Sequence, residues 1–167
     1  LGDPAAASRI EPLLKDAESW TEAEITRLRG NSSAKEKVAA LRSEIQSTMM
    51  DNCGVFRTDA TLKKVLSDVS VLKQRYRDAG VSDQSQVFNT DILEAMELGN
   101  LIELAEVTVQ SALARQESRG AHYREDFPKR NDAAWMKHTL ASRVDGKVEL
   151  KYKPVVVTKF QPQERKY

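Results

Sequence analysis

The sequence has few of the residues from which nucleotide-binding sites are built. It contains seven glycines in 167 residues, and the closest two are Gly80 and Gly99. A dinucleotide fingerprint or a P-loop needs several glycines within a few residues, so that backbone N–H groups can approach a phosphate. The glycine spacing therefore excludes both motifs from these residues. Most of the glycines are predicted to mark helix ends.

Cysteine and histidine are also scarce. The single cysteine, Cys53, excludes an internal disulfide, an iron–sulfur cluster and a thiolate zinc site, and it fits a reducing compartment. We predict that it is a small packed side chain rather than a reactive thiol. The two histidines, His122 and His138, have no partner at ligand spacing, so we predict no metal site. His138 lies in an alternating strand beside Trp135, where we expect a packed or hydrogen-bonded side chain rather than a ligand.

Long apolar runs and an excess of charge are missing as well. No stretch approaches the roughly 18 apolar residues of a membrane span, and the start "LGDPAAASRIEP" lacks a signal-peptide pattern. The net charge of +1 argues against nucleic acid as a partner. From Arg143 onward seven basic residues face three acidic ones, which favours a docking strand with a solvated edge.

The sequence does contain strong helical periodicity. A short helix is predicted from Thr21 to Gly30, because Thr21 and Glu24 have capping-box spacing. Three long helices with apolar residues at steps of three and four follow. They are predicted to start at Ser33, after the Thr58-Asp59 pair and near Asn89, and to end near Gly54, Gly80 and Leu113.

After Pro128 the helical period disappears, and two strands are predicted around an Asp145-Gly146 turn. The predicted fold class is therefore mainly α: an antiparallel bundle of three long helices with a preceding short helix, a C-terminal β-hairpin and an extended tail. The predicted segments are a lead-in over residues 1–32, the bundle over 33–128, and the hairpin and tail over 129–167, packed on the bundle.

The segment "ARQESRGAHYREDF" concentrates charged residues that suit acid–base chemistry. The alternative is that a long helix ends here, that its last turn carries basic residues, and that Gly120 turns the chain out of it. Residue types favour this second interpretation. The candidate residues, which we expect to lie at an interface, are Arg115, Glu117, Arg119, His122, Arg124 and Asp126.

Several motifs together resemble the C-terminal part of the flavoprotein subunit of succinate dehydrogenase. They are "DNCGVFRTDATL" (residues 51–62), the run from Val87 to Leu140 with "ESRGAH" and "WMKHTL", and the closing "PQERKY". The similarity is good from Ser33 to Leu140 and poor before it. Fumarate reductase flavoprotein is closely similar, and L-aspartate oxidase shares an Arg-x-Glu-Ser-Arg-Gly segment. The run from Trp135 to Leu140 favours succinate dehydrogenase.

The resemblance implies a bundle of three long helices, in agreement with the periodicity. It also implies that the parts holding FAD and the dicarboxylate precede these residues, so no catalytic residue, cofactor site or metal site is expected here. The expected partners are the flavin domain and the iron–sulfur subunit. Direct membrane insertion is not expected, and the expected location is the cytoplasmic face of the membrane, reached through the complex.

We therefore predict a scaffold and interface fragment, inactive alone, of an enzyme that oxidises succinate to fumarate. Two alternatives stay open: an independent helical adaptor, and a small catalytic site between Arg115 and Asp126. The isolated chain is expected to self-associate through surfaces that normally face the flavin domain. Because the arginines have few obvious internal partners, Arg119→Ala and Arg124→Ala should weaken assembly more than they lower the melting temperature.

Overall fold

The computed structural model describes residues 4–163, so the ends of the chain, including the "RKY" of the resemblance, lie outside the described residues. The mainly α fold class with a C-terminal hairpin is confirmed. In chain order the elements are α1 (Pro4–Gly30), α2 (Val38–Cys53), β1 (Phe56–Arg57), α3 (Asp59–Arg77), α4 (Thr90–Ala114), β2 (Tyr123–Arg124), α5 (Asp132–Trp135), β3 (Lys137–Val144) and β4 (Lys147–Pro154).

The chain divides into two compact units. Unit 1 consists of Leu1–Thr48 and Asp68–Leu104, and unit 2 consists of Met49–Ser67 and Ala105–Tyr167. The three predicted segments follow different boundaries and stay a prediction. No helix within residues 4–163 has the length and apolar character needed to cross a membrane.

Unit 1 is organised around an apolar core. Burying each large apolar side chain contributes about 1.5–3 kcal/mol. Within this unit α3 and α4 run antiparallel, because Lys73 pairs with Glu103 while Tyr76, further along α3, bonds to Ala95, further back along α4. The buried apolar residues of the unit include Leu28, Leu41, Ile45, Val69, Leu72, Val81, Ile92, Ala95, Leu98 and Ile102.

The helix starts show which sequence signals were sufficient. α3 begins where predicted, and the Thr58 hydroxyl accepts the N–H of Thr61 at 3.1 Å. α4 also begins where predicted, and the Asn89 side chain accepts the N–H of Ile92 at 3.0 Å. Both are N-cap bonds that satisfy otherwise unpaired helix donors.

Two helices differ from their predicted bounds. α2 starts at Val38 rather than at Ser33, because the preceding backbone at Lys37 forms a β-bridge with Gly80. α1 has 27 residues and contains Pro12 in its interior, whereas the prediction was a short helix starting at Thr21. The earlier residues were missed because their prolines indicate helix breaks, while Pro4 instead occupies the first turn, where proline is tolerated.

Unit 2 contains the predicted hairpin. β3 pairs antiparallel with β4 from Lys137↔Pro154 to Val144↔Lys147. The turn residues Asp145 and Gly146 have φ values of 49° and 75°, and two positive values in a two-residue loop are typical of a type I′ turn. The strand positions of the hairpin are therefore confirmed.

Candidate functional site

The polar cluster lies in unit 2, in the segment that follows α4. The six candidate residues are joined there by Arg57 of β1 and by Asn131 and Asp132 around the start of α5. β1 and β2 form a two-residue parallel ladder, Phe56↔Tyr123 and Arg57↔Arg124. This pairing brings together residues that are far apart in the sequence.

Glu117 is the anionic centre of the cluster and has no exposed surface. Its Oε1 accepts bonds from Arg115 at 2.7 Å and from Arg119 at 2.8 Å, and its Oε2 accepts from Arg119 at 3.0 Å and from the Asn131 N–H at 2.9 Å. Burial raises the pKa of Glu117, but the bonds from Arg119, Asn131 and Arg115 outweigh it and hold the pKa below its usual value. The carboxylate is therefore ionised and saturated.

Arg124 is the second fully buried charged residue. Its Nε and Nη2 donate to the two carboxylate oxygens of Asp126, both at 2.8 Å. Its Nη1 donates to the carbonyls of Ala112 at 3.1 Å and Leu113 at 3.0 Å. These carbonyls belong to the last turn of α4 and have no partner within the helix, so Arg124 caps the helix from inside the unit.

Asp126 connects this pair to α3. Its Oδ2 also accepts the backbone N–H of Asp59, the first residue of α3, at 2.8 Å. The hydrogen bonds from Arg124, followed by the Asp59 N–H, together lower the pKa of Asp126 to about 2 against the opposing effect of burial. One carboxylate thus joins the C-terminal end of α4 to the N-terminal end of α3.

His122 is half-buried and is held by both ring nitrogens. Nδ1 lies 3.0 Å from Nη1 of Arg57, and Nε2 lies 3.1 Å from the carbonyl oxygen of Arg115. Burial lowers the pKa of His122, the cations Arg57, Arg124 and Arg115 lower it further, and the Arg115 carbonyl bond opposes them. A free ring nitrogen for proton shuttling is missing from this arrangement.

The prediction for Gly120 is corrected by the structure. α4 ends at Ala114, so Gly120 does not lie at the helix end. It has φ of 58° and occupies the tight turn in which Arg119 and His122 exchange backbone hydrogen bonds at 2.8 and 3.1 Å. The positive φ of this turn suits glycine.

The assumption that these arginines have few internal partners was wrong. Arg115 also donates to the carbonyls of Trp135 at 3.1 Å and Lys137 at 2.6 Å, and Arg119 also donates to Asp132 at 2.5 Å. With Arg124 fully buried, each of the three guanidinium groups is bound within unit 2. Whether they also contact a partner stays a prediction.

Sequence reasoning missed three members of the cluster, Arg57, Asn131 and Asp132. The local charge pattern offered a partial signal, because "RQESR" and "RED" place opposite charges two residues apart, where an extended backbone puts them on one side. Nothing local indicated Arg57, which reaches His122 across 65 residues. The other histidine, His138, is exposed on β3, so of the two alternatives expected for it the packed side chain is wrong.

A separate groove of about 470 Å³ lies within unit 1, and Trp20 and Tyr76 contribute to its lining. Four of its charged residues are also paired: Arg27 binds Glu24 at 2.7 Å, and Lys73 pairs with Glu103. Within residues 4–163, no group of three or more His, Cys, Asp or Glu side chains is arranged to hold a metal ion.

Comparison with known proteins identifies the family. A family model described as fumarate reductase flavoprotein C-terminal region matches residues 42–167. The chain belongs to this family. The matched residues of this chain include the whole polar cluster and the hairpin, while α1 precedes them.

Individual relatives of this flavoprotein C-terminal family agree. The chain is 51% identical to the succinate dehydrogenase flavoprotein subunit of Rickettsia conorii over 122 residues, which is 72% of this chain and 20% of that protein. It is 39% identical to the fumarate reductase flavoprotein subunit of Haemophilus influenzae over 161 residues, 96% of this chain and 26% of that protein.

A solved structure of Escherichia coli quinol fumarate reductase matches with a TM-score of 0.82 and 35% identity, over 98% of this chain and 27% of the matched chain. The chain thus spans about a quarter or less of the length of the flavoproteins it matches.

Proposed function

We propose that this chain is the C-terminal domain of a succinate dehydrogenase flavoprotein subunit, in which it provides scaffold and subunit interface and has no active site of its own. The parent would oxidise succinate to fumarate, with FAD passing electrons to an iron–sulfur subunit and quinone. The 51% identity to the Rickettsia conorii succinate dehydrogenase subunit supports the dehydrogenase assignment.

The observation that carries the scaffold role is the saturation of the polar cluster. Glu117 accepts from three residues, and Arg124 donates to Asp126 and to two helix carbonyls. His122 is bound at both ring nitrogens. A catalytic acid or base needs a position from which it can reach a substrate proton, whereas these groups are committed to holding the backbone.

Two of the described glycines lie against other parts of the protein. A Cβ at Gly54 would meet the Met50 carbonyl oxygen at 2.7 Å, and one at Gly99 would meet the Tyr76 hydroxyl oxygen at 2.8 Å. At these two positions the close approach that glycine permits is filled by the protein itself rather than left open to a phosphate. FAD would bind the flavin domain of the parent, which we propose as one partner beside the iron–sulfur subunit.

The interface role applies differently to the six candidate residues. Glu117 and Arg124 have no exposed side-chain surface, so they would act only by positioning their neighbours. Arg119 and Asp126 each expose 29% of their side chains, and Arg115 exposes 15%. The side chains that a partner could contact directly are thus the partly exposed ones, together with His122. Through such a complex the parent would lie on the cytoplasmic face of the membrane.

Co-expression tests this proposal. The tagged chain should co-purify with the separately expressed flavin-binding part of a related flavoprotein and with its iron–sulfur subunit. Arg119→Ala should reduce this recovery, while the matched change His138→Ala on the exposed face of β3 should not. Failure of the intact, folded chain to co-purify with either partner would favour the independent adaptor.

A fumarate reductase flavoprotein is the second candidate. It is favoured by the alignment with the Haemophilus influenzae subunit, which covers 96% of this chain, and by the fold match to the Escherichia coli enzyme. The assembled complex distinguishes the two, because a dehydrogenase should reduce quinone with succinate faster than it reduces fumarate with quinol, and a reductase should show the reverse ratio.

Self-association of the isolated chain belongs to the same proposal. α1 exposes between 50% and 66% of four large apolar side chains, Ile10, Leu13, Leu14 and Trp20. Exposed apolar patches of this kind indicate a covered surface in the functional assembly. Sedimentation equilibrium of the chain should show oligomers that the double change Leu13→Ser and Leu14→Ser disperses, and a strictly monomeric chain would contradict this expectation.

A further inference from the structure

We propose that His122 is an acid-sensitive latch, which joins β1 to the segment after α4 while its ring is neutral and releases β1 when the ring is protonated. The latch is a property of this chain's own conformation and does not rest on the proposed function.

The two partners of the ring determine its protonation state. A guanidinium group only donates hydrogen bonds, so Nδ1, 3.0 Å from Arg57 Nη1, must accept. A carbonyl oxygen only accepts, so Nε2, 3.1 Å from the Arg115 oxygen, must donate. The neutral tautomer with its proton on Nε2 is the one form that satisfies both partners.

Protonation would place a hydrogen on Nδ1, directed at the Arg57 guanidinium. The bond would be lost, and two cations would face each other at hydrogen-bond distance. Carboxylates of the cluster offer little compensation, because Glu117 and Asp126 are already bound to arginines. The charged groups around the ring are Arg57 from β1, Arg115 from the segment after α4, and Arg124 from β2.

The structure that protonation of His122 would release is small. The β1–β2 ladder is only two residues long, and the Glu125 N–H continues it by donating to the Arg57 carbonyl at 2.9 Å. Phe56 and Tyr123, paired across the ladder, meet edge to face with 5.7 Å between ring centroids. Since His122 directly precedes β2, losing its bond to Arg57 removes a tie at one end of this ladder.

The pH dependence follows from the direction of the shift. Burial, followed by the surrounding cations, lowers the pKa of His122 in the closed state below that of an exposed histidine. The closed latch is therefore fully stable above about pH 6.5 and weakens as pH falls from there towards the lowered pKa. Within this window the open fraction should rise as pH falls, by at most tenfold per pH unit.

Hydrogen exchange in the 167-residue chain provides the test. The protection factor of the Glu125 amide should fall with pH within this window, by at most tenfold per pH unit. His122→Asn should flatten this profile, because the Asn carbonyl can accept from Arg57 without titrating. His138→Asn is the matched control, since it removes the other histidine from an exposed position, and it should keep the wild-type profile.

The imidazole ¹⁵N shifts of the unmodified chain decide the case independently of any variant. They should show a neutral ring with its proton on Nε2 at neutral pH. A proton on Nδ1, a charged ring at neutral pH, or a pH-dependent loss of protection that persists in His122→Asn would each overturn the latch.

Discussion

Among the described residues of unit 1 the large side chains with no exposed surface are leucines, whereas in unit 2 an arginine and a glutamate share this complete burial with Leu62, Val65 and Val109. Unit 1 has an ion-pair cluster at its surface: Arg75 binds Glu36 at 3.0 Å and Glu44 at 2.7 Å, with a third of the arginine side chain exposed. Unit 2 instead buries Glu117 and Arg124, where water cannot screen their charges.

This difference between the two units indicates the structural role of the charged segment between α4 and the hairpin. A buried ion pair is weak support for stability compared with apolar packing, but removing one partner is costly because the other stays buried and uncompensated. Glu117 and Arg124 therefore fix one arrangement of the chain between α4 and the hairpin. An exposed pair such as Arg75–Glu36 contributes far less to stability, because water screens it.

The largest expected effect comes from removing Arg124, the fully buried member of its ion pair with Asp126. Arg124→Ala should lower the free energy of unfolding by about 3–5 kcal/mol, because it leaves the Ala112 and Leu113 carbonyls without a donor and removes the partner of Asp126. Arg75→Ala is the matched control and should lower the free energy of unfolding far less, because water screens this exposed pair. Urea denaturation of both variants measures the difference, and equal losses would contradict the comparison.

Removing core volume from unit 1 should have the next largest effect. Leu72 is 1% exposed, so Leu72→Ala should leave a cavity and cost about 2–5 kcal/mol of unfolding free energy. Val71, its neighbour in α3, is 54% exposed and provides the control. Val71→Ala should change the urea midpoint little, and a comparable loss there would show that the apolar core is assigned wrongly.

Acid should weaken unit 2 through Asp126. The pKa of this carboxyl is lowered to about 2, mainly by Arg124, so its contribution to stability is complete above about pH 4 and is lost as pH falls to about 2. Asp126→Asn should lower stability at neutral pH by about 1–3 kcal/mol and remove that part of the acid dependence. Thermal unfolding between these pH values tests it; an unchanged acid profile in the variant would contradict the assignment.

A smaller effect is expected at the hairpin turn. Gly146 has φ of 75°, which an alanine adopts at a cost of about 1–2 kcal/mol. Gly146→Ala should therefore loosen the β3–β4 pairing, while Gly30→Ala, a helical position with open space around its Cα, should not. Amide exchange of the hairpin strands reports the change.

The sequence predicts an element correctly where the interaction that determines its position is local. The caps at Thr58 and Asn89 act over three residues, and the Asp145-Gly146 turn needs only its own backbone preference. These elements appeared where the sequence predicts them. The family resemblance also came from short, contiguous motifs, and the match over residues 42–167 bears it out.

Elements that depend on partners distant in the sequence could not be predicted from local sequence signals. Asp126 reaches Asp59 across 67 residues and Arg57 reaches His122 across 65, so the internal pairing of the cluster depends on the folded arrangement of unit 2. The start of α2 differs from the predicted start for the same reason, because Lys37 forms a β-bridge with Gly80, far along the chain. Charged residues without local partners are therefore poor evidence of an interface.

The most direct test of the account is calorimetric titration of the isolated chain with FAD, succinate and fumarate. A scaffold domain whose charged cluster is internally saturated should give no heat of binding for any of the three, while its thermal unfolding stays cooperative. Stoichiometric binding of flavin or of either dicarboxylate by the folded chain would contradict the central claim.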